Sequence, residues 1–276
     1  MVWNFSSESK AQQLRSRFAK LGIDCEAPGF CDSPAFLRAE RSDPKIMEDY
    51  ARYIEARAYS GMYLADAARK IAHVAETVRR AVEVDGRKGA CVDASGMLGR
   101  MLDKLGIWNY VAKSTLTITY PAAARIPKSY FWALDEGDFA SPHAIVVAPP
   151  FGIIDVTLRY QMYSGRHKEY LPHSVVADQV EVVGWEPDDI ANDELRAFLA
   201  GRRIPFAGFL KQERPHMVAV MRELAARQVL VNGTSLKYVI VAIGGSAEQL
   251  EGITGYRPSG RTALQIFQSE VVPHFG

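Results

Sequence analysis

The sequence predicts an α+β protein, and three observations lead to that fold class. Residues 1–85 carry apolar side chains at helical spacing, the chain after Gly106 changes to β-branched and aromatic runs, and residues 174–276 mix both patterns. Helices grouped ahead of strands, rather than alternating with them, favour α+β over a parallel α/β sheet. We therefore expect a mainly helical part (1–85), an antiparallel sheet core with one helix packed on it (86–173), and a mixed α/β region (174–276).

The N-terminal part is predicted to contain several amphipathic helices. Leu14, Phe18 and Leu21 recur at helical spacing, and Gly22 follows them as a stop signal. Residues 25–34 are predicted to form a loop. A strongly helical pattern then runs over residues 43–84, opened by a Ser-Asp-Pro start signal and ended by the run Asp-Gly-Arg-Lys-Gly.

The rest of the chain is predicted to supply the sheet and a few further helices. A helix beginning near Cys91 is followed by a strand over residues 107–121, because β-branched and aromatic residues are typical of strands. A Pro-Pro-Phe-Gly turn between two apolar runs predicts a hairpin. The other segments are a long connection (122–142), strands (174–187 and 235–245), helices (188–201 and 214–228), and a stretch that fits helix or strand (261–272).

Charge, hydropathy and cysteine content argue against several classes of protein. The net charge is +1, which gives no electrostatic argument for nucleic acid or an anionic membrane as a partner. No apolar run approaches the roughly 18 residues that cross a bilayer, and the N-terminus lacks the features of a secretory signal. Three cysteines without a Cys-x-x-Cys pair argue against a disulfide framework or a zinc site. The sequence thus predicts a reduced, cytoplasmic protein with no nucleic-acid or membrane partner, and it leaves the oligomeric state open.

Cys91 is the candidate nucleophile. It stands in the first turn of its helix, where free backbone N–H groups and the helix dipole favour an anion, and Arg87 and Lys88 precede it. Such surroundings lower the pKa of a thiol and produce the reactive thiolate. The same N–H groups could bind the oxyanion of a tetrahedral intermediate, and Gly89 would let a substrate approach closely. The alternative is a buried structural cysteine, which behaves as a small hydrophobic residue.

A thiol nucleophile needs a base, and His143 and Asp155 are the candidates for the base and its partner. The two residues lie 12 apart on either side of the predicted turn, so a hairpin would place them opposite or diagonal to each other. An acid within the apolar run "GIIDV" is expected to be paired. A carboxylate beside an imidazole fixes its tautomer and stabilises the imidazolium. Taken singly, a bonded strand-end histidine and a turn-forming aspartate would explain these residues as well.

The order of these pieces resembles the transglutaminase-like superfamily of cysteine enzymes, which share a papain-like Cys-His-Asp core. The similar stretch covers about residues 86–160, and its most specific parts are "GACVDASGMLGRMLDKLGI" and "GIIDVTL". The resemblance implies that Cys91 is the nucleophile, His143 the general base and acid, and Asp155 its orienting residue. It implies a cysteine protease, amidase or deamidase that acts on a peptide, protein or small amide without a metal or organic cofactor.

The chain also departs from that family, and other readings remain open. Aromatic residues common in the family are absent from residues 143–145 and 152–154, and Val156 replaces a proline, which bears on the substrate class. Arylamine N-acetyltransferases, which use acetyl-CoA, share the core and the Cys-His-Asp order. Arg87, Gly89, Cys91 and Asp93 partly match their Arg-Gly-Gly-x-Cys-x-Glu signature. A transglutaminase and a noncatalytic binding module with the same fold are the remaining alternatives.

Overall fold

The structure is a computed structural model that describes residues 2–135, 138–139, 143–244 and 248–275. It is an α+β fold, as the sequence predicts, with a helical N-terminal part and an antiparallel sheet that curls into a half-barrel. The helices are α1 (Glu8–Lys20), α2 (Pro34–Ser42), α3 (Ile46–Ala56), α4 (Gly61–Asp85), α5 (Cys91–Lys104), α6 (Pro187–Ile190), α7 (Asp193–Gly201), α8 (Phe206–Glu213), α9 (Pro215–Glu223), α10 (Ala263–Ile266) and α11 (Val272–Phe275).

The strands form one main sheet and one short hairpin. They are β1 (Tyr110–Thr119), β2 (Ser129–Phe131), β3 (Leu134–Asp135), β4 (Asp138–Phe139), β5 (His143–Ala148), β6 (Phe151–Asp155), β7 (Val175–Ala177), β8 (Glu181–Val183), β9 (Ala226–Val231) and β10 (Thr234–Gly244). The main sheet has the order β7-β6-β5-β1-β10-β9-β8, and β2 also pairs with β1. The long strand β1 is central because it pairs with β10, β5 and β2.

Local signals explain where the helices nearest the site begin and end. Ser60 caps α4 by accepting a hydrogen bond from the backbone N–H of Tyr63 (3.1 Å), and Gly86 ends that helix with a φ of 71°. Helix α5 then starts at Cys91 and packs its buried side against the hairpin strands, with Ala94, Met97 and Leu98 in one apolar cluster with Val146 and Ile154. The start of α5 therefore lies against the sheet.

The structure adds detail to several predicted elements. The predicted loop over residues 25–34 contains a 3-10 turn (Phe30–Asp32), and helix α2 begins at the last residue of that loop, because Ser33 caps the helix and Pro34 occupies its first position. The predicted helix over residues 214–228 ends at Glu223, and residues 226–231 form strand β9 beside β10. There, pairing with β10 overrides the helical pattern of the local sequence. The ambiguous stretch 261–272 is helical, and Thr262 caps it.

Two other predicted segments have unexpected placements. The strand segment 174–187 supplies both edges of the main sheet, since β7 pairs with β6 and β8 pairs with β9. The long connection contains β2 and the β3–β4 hairpin, although residues 136–137 and 140–142 of it lie outside the described residues. The division into three regions stays a prediction, and the main sheet takes strands from both the second and the third.

The inside of the curled sheet holds a buried ion pair that crosses several strands. Arg227 on β9 is fully buried, pairs with Glu55 of α3, and donates to the carbonyl oxygen of Gly152 on β6 (2.8 Å). Glu55 also accepts a hydrogen bond from the hydroxyl of Tyr110. Because β9 and β6 are separated by three strands in the sheet order, this contact depends on the curl.

We expect the Arg227→Ala variant to lose about 3–5 kcal/mol of unfolding free energy, because the mutation leaves Glu55 buried without its counter-ion. Urea unfolding followed by circular dichroism measures this loss. The control is Arg222→Ala, whose side chain is exposed beside Glu223 at 3.3 Å and should contribute less than about 0.5 kcal/mol. Similar midpoints for the two variants would contradict the prediction.

Within the described residues, no helix combines the length and the apolar character needed to cross a membrane.

Candidate active site

Cys91 is the first residue of α5 and is tied to the start of strand β5. Its side chain is buried, with only 5% of the residue exposed. The carbonyl oxygen of Ala144 accepts a hydrogen bond from Ser95 Oγ (3.1 Å), and the backbone N–H of Ala144 lowers the pKa of the Cys91 thiol. Ala144 thus lies against the first turn of α5, which places Cys91 near the residue that precedes Ala144, namely His143.

His143 and Asp155 form the pair that the hairpin predicts. The Nε2 atom of His143 lies 2.7 Å from Asp155 Oδ2, and both side chains are fully buried. The strand register pairs Val146 with Ile154, so His143 and Asp155 share one face of the hairpin in diagonal positions. The contact between His143 and Asp155 is therefore the one that their 12-residue spacing predicts.

The three candidate side chains come together, and each changes the proton affinity of the next. The Nδ1 atom of His143 is buried and forms no hydrogen bond with the part of the chain that the structure describes. The imidazole and the Cys91 thiol are nevertheless close enough that each shifts the pKa of the other. Burial is the largest influence on Cys91 and raises its pKa, but the imidazole of His143 and the Ala144 N–H bring that pKa below the usual value.

The pKa of His143 moves in the opposite direction. Burial is the largest influence and lowers it, but the Asp155 carboxylate and the Cys91 thiol together raise the pKa of His143 above its usual value. Burial likewise raises the pKa of Asp155, whereas His143, Thr157 and Tyr238 bring it below its usual value. A thiol of lowered pKa beside an imidazole of raised pKa favours a thiolate–imidazolium ion pair at neutral pH.

The sequence predicts that Arg87 helps to lower the pKa of Cys91, but in the structure Arg87 has other partners. It forms an ion pair with Asp93 in the first turn of α5 (2.5 Å), and its guanidinium lies 5.1 Å from the centre of the Tyr256 ring. Its charge is therefore partly neutralised. The lowered pKa of Cys91 arises from His143 and Ala144 instead.

The start of α5 also offers backbone hydrogen-bond donors that precede the helical ladder. The helical ladder begins with the Ala94 N–H donating to the Ala90 carbonyl oxygen (2.9 Å), so the N–H groups of Cys91, Val92 and Asp93 precede it. Gly89 has a φ of 72°, a conformation that favours glycine, and a Cβ atom there would meet nothing within 4 Å. Backbone donors beside the sulfur and open space before it are what an oxyanion site needs.

Two strands, β5 and β2, pair one after the other with the same edge of β1, and the change from one to the other lies beside His143. Strand β5 pairs with β1 as far as His143 opposite Ser114, and β2 continues along that edge with Phe131 opposite Leu116. Between Phe131 and His143, strands β3 and β4 pair with each other in a separate two-stranded sheet. The ring of Phe131 lies 5.9 Å from the ring of His143 and covers it on this side.

Sequence reasoning missed two residues that hold Asp155 in place. The hydroxyl of Tyr238 donates to Asp155 Oδ2 (3.0 Å), the same oxygen that contacts His143. The backbone N–H of Thr157 donates to Asp155 Oδ1 (3.0 Å). Tyr238 is fully buried on β10, three strands from β6 in the sheet order. Only the polar hydroxyl within the apolar run "KYVIV" hinted at a buried partner.

Replacing Tyr238 with phenylalanine should change the pH dependence of Cys91. Without the hydroxyl, Asp155 loses a donor, attracts the imidazolium more strongly and favours the thiolate. We expect the acidic limb of Cys91 alkylation to move to lower pH by about half a unit. Rates of iodoacetamide labelling over a pH series measure it.

Tyr163→Phe is the control for Tyr238→Phe. Its hydroxyl donates to the carbonyl oxygen of Leu158 (2.8 Å), not to Asp155. A purely structural role for Tyr238 would lower thermal stability and leave the limb in place. An unchanged or upward-shifted limb in Tyr238→Phe would contradict the expectation.

No protein-family model matches the sequence, and no curated protein and no solved structure matches the chain. Among the residues that the structure describes, no group of three or more His, Cys, Asp or Glu side chains is placed to hold a metal ion.

Proposed function

We propose that this chain is a cysteine-dependent acyl-transfer enzyme that hydrolyses peptide or carboxamide bonds through Cys91, His143 and Asp155. The observation that carries the proposal is the buried His143–Asp155 pair at 2.7 Å beside a thiol of lowered pKa at a helix start. Burying a charged pair costs free energy unless it is fully bonded. Perturbed and paired groups of this kind are concentrated at functional sites.

The mechanism follows from the positions of the three groups. The Cys91 thiolate attacks the carbonyl carbon, and the oxygen that becomes negative is stabilised by the backbone N–H groups at the start of α5. The protonated His143 gives its Nδ1 proton to the leaving amine or ammonia as the C–N bond breaks. His143 then removes a proton from water, which attacks the thioester and releases the carboxylic acid and the thiolate. Asp155 holds the imidazole throughout.

The proposal includes a transglutaminase-like fold. It is supported by the order in the chain, in which a helix that begins with cysteine precedes the histidine strand and then the aspartate strand. No step in this mechanism requires a metal or an organic cofactor. An acetyltransferase reaction would differ in taking its acyl group from acetyl-CoA and passing it to an amine.

The test uses peptides in isotopically labelled water. Wild type and Cys91→Ala are incubated with a complex peptide mixture in H₂¹⁸O, with and without methylamine, and the products are read by mass spectrometry. We expect ¹⁸O in new carboxyl groups with the wild type alone. Methylamine adducts without ¹⁸O would indicate a transferase and overturn hydrolysis. A stable acetyl group on Cys91 after addition of acetyl-CoA would favour the acetyltransferase alternative.

A noncatalytic binding module is the remaining alternative, and Cys91 reactivity separates it from an enzyme. Such a module would show no product with or without methylamine. Its Cys91 would alkylate with the pH dependence of an ordinary thiol. That combined result would overturn the proposal.

A further inference from the structure

A groove of about 370 Å³ opens beside the candidate nucleophile. Its lining includes Val92 and Ala144, the chain neighbours of Cys91 and His143. Apolar walls come from Leu37 of α2 and Ile243 of β10, and charged groups come from Glu40 and Lys113. A substrate whose carbonyl reaches Cys91 from this groove would extend along these walls.

The charges in the groove fall into two kinds. Arg100 is held by Asp32, with contacts of 2.7 and 2.9 Å, and by Asp103 at 3.2 Å. Its positive charge is therefore already compensated. Lys113 and Glu40 form no ion pair with any residue that the structure describes, either with each other or with a third group.

Lys113 is placed by two features of the sheet. It pairs with Ala144 across β1 and β5, one residue from the pair formed by Ser114 and His143. Its stem lies on Gly244 of β10, where a Cβ atom would come within 3.3 Å of Lys113 Cγ and Cε. The missing side chain of Gly244 thus lets the lysine lie along the groove, and Lys113 is half-buried there.

We propose that Lys113 binds a free carboxylate on the substrate, so that the enzyme prefers amides with a carboxylate a few bonds from the reacting carbonyl. This inference rests on the proposed function of Cys91. A half-buried ammonium without a counter-ion gains more from an incoming anion than a fully hydrated one does. Glu40, which also lines the groove, disfavours a second anion and limits the preference to one carboxylate.

The test measures alkylation of Cys91 by two matched series of reagents. One series is N-iodoacetyl derivatives of amino acids of increasing length, from glycine to 6-aminohexanoic acid, and the other is their methyl esters. We expect the acid to react about fivefold faster than its ester at one preferred length, in low salt. In the wild type this acid-to-ester ratio should fall as salt is added.

Variants assign the preference to Lys113. The ratio should fall below one in Lys113→Met, because Glu40 then repels the acid, and it should be retained in Lys113→Arg. It should rise in Glu40→Gln. The remote control Lys20→Met, on α1, removes the same charge and should leave the ratio unchanged. Thermal melts identify any variant that fails to fold, and the salt dependence of the wild type tests the charge without any variant.

The outcomes separate this inference from the proposed function. If Cys91 reacts quickly with both series, and the ratio is the same in wild type and Lys113→Met, the carboxylate site is wrong and the enzyme remains proposed. If Cys91 reacts with every reagent only as an ordinary thiol does, the proposed function itself fails.

Discussion

The His143→Ala variant is expected to alkylate at Cys91 about 100-fold more slowly than the wild type at pH 6.5. In the wild type, His143 is the main group that lowers the pKa of the thiol, and burial works against it. Without the imidazole, only the Ala144 N–H opposes the effect of burial, so the pKa of Cys91 should rise. Below its pKa a thiol is mostly protonated, so the reactive thiolate fraction falls steeply as the pKa rises.

The direction of the change in labelling rate follows from how the ionisation of Cys91 depends on pH. Thiolate forms as pH rises through the pKa of Cys91, which lies below its usual value in the wild type. Labelling of the wild type should therefore remain fast well below the usual thiol pKa of about 8.5. Labelling of His143→Ala should be slow there and should still increase with pH above that value.

The other cysteines and a second histidine provide the controls. Burial raises the pKa of Cys31 to about 12. We expect peptide mapping to locate the fast label on Cys91 rather than on the free cysteines Cys25 and Cys31. Cys91→Ser should abolish it. His73→Ala removes a histidine from α4, where it contacts the carbonyl oxygen of Glu270 at 2.8 Å, and should leave the rate unchanged. Equal rates for wild type and His143→Ala would refute the assignment of His143.

The Asp155→Asn variant is expected to form its acyl-enzyme about 1,000- to 10,000-fold more slowly. Asp155 Oδ2 is the only acceptor seen here for Nε2 of His143 among the described residues, and it also accepts from Tyr238. An asparagine amide can accept at its oxygen but donates at its nitrogen. If that nitrogen faces His143, Nε2 becomes an acceptor and the proton moves to Nδ1, which removes the base.

Single-turnover acylation by p-nitrophenyl acetate, followed by release of p-nitrophenolate, measures this loss. Asp189→Asn is the matched control, because Asp189 is another buried carboxylate that accepts hydrogen bonds, from Thr117 (2.7 Å) and Lys237 (2.8 Å). That variant should lose stability while its acylation rate changes little. A rate for Asp155→Asn within about tenfold of the wild type would show that His143 does not depend on this carboxylate.

Much of the fold could be predicted because its signals are local. The spacing of Leu14 and Phe18 defines α1, and the turn at Pro149 and Pro150 fixes the hairpin of β5 and β6. The errors arise where a distant partner decides the structure. Residues 226–228 continue the helical pattern in the sequence, but β10 offers them an antiparallel partner and they join strand β9.

The three side chains of the candidate site can be identified from local sequence signals. Cys91 stands at a helix start, and His143 and Asp155 lie 12 residues apart around a turn, so strand geometry makes their contact a local consequence. The packing of α5 against Ala144 and the hydrogen bond from Tyr238 to Asp155 follow from the three-dimensional fold. Those contacts join segments about 50 and 80 residues apart, and burial of the joined groups then sets their pKa values. Periodicity and spacing describe only neighbouring residues, whereas the curl of the sheet and the desolvation of its interior arise when distant segments pack.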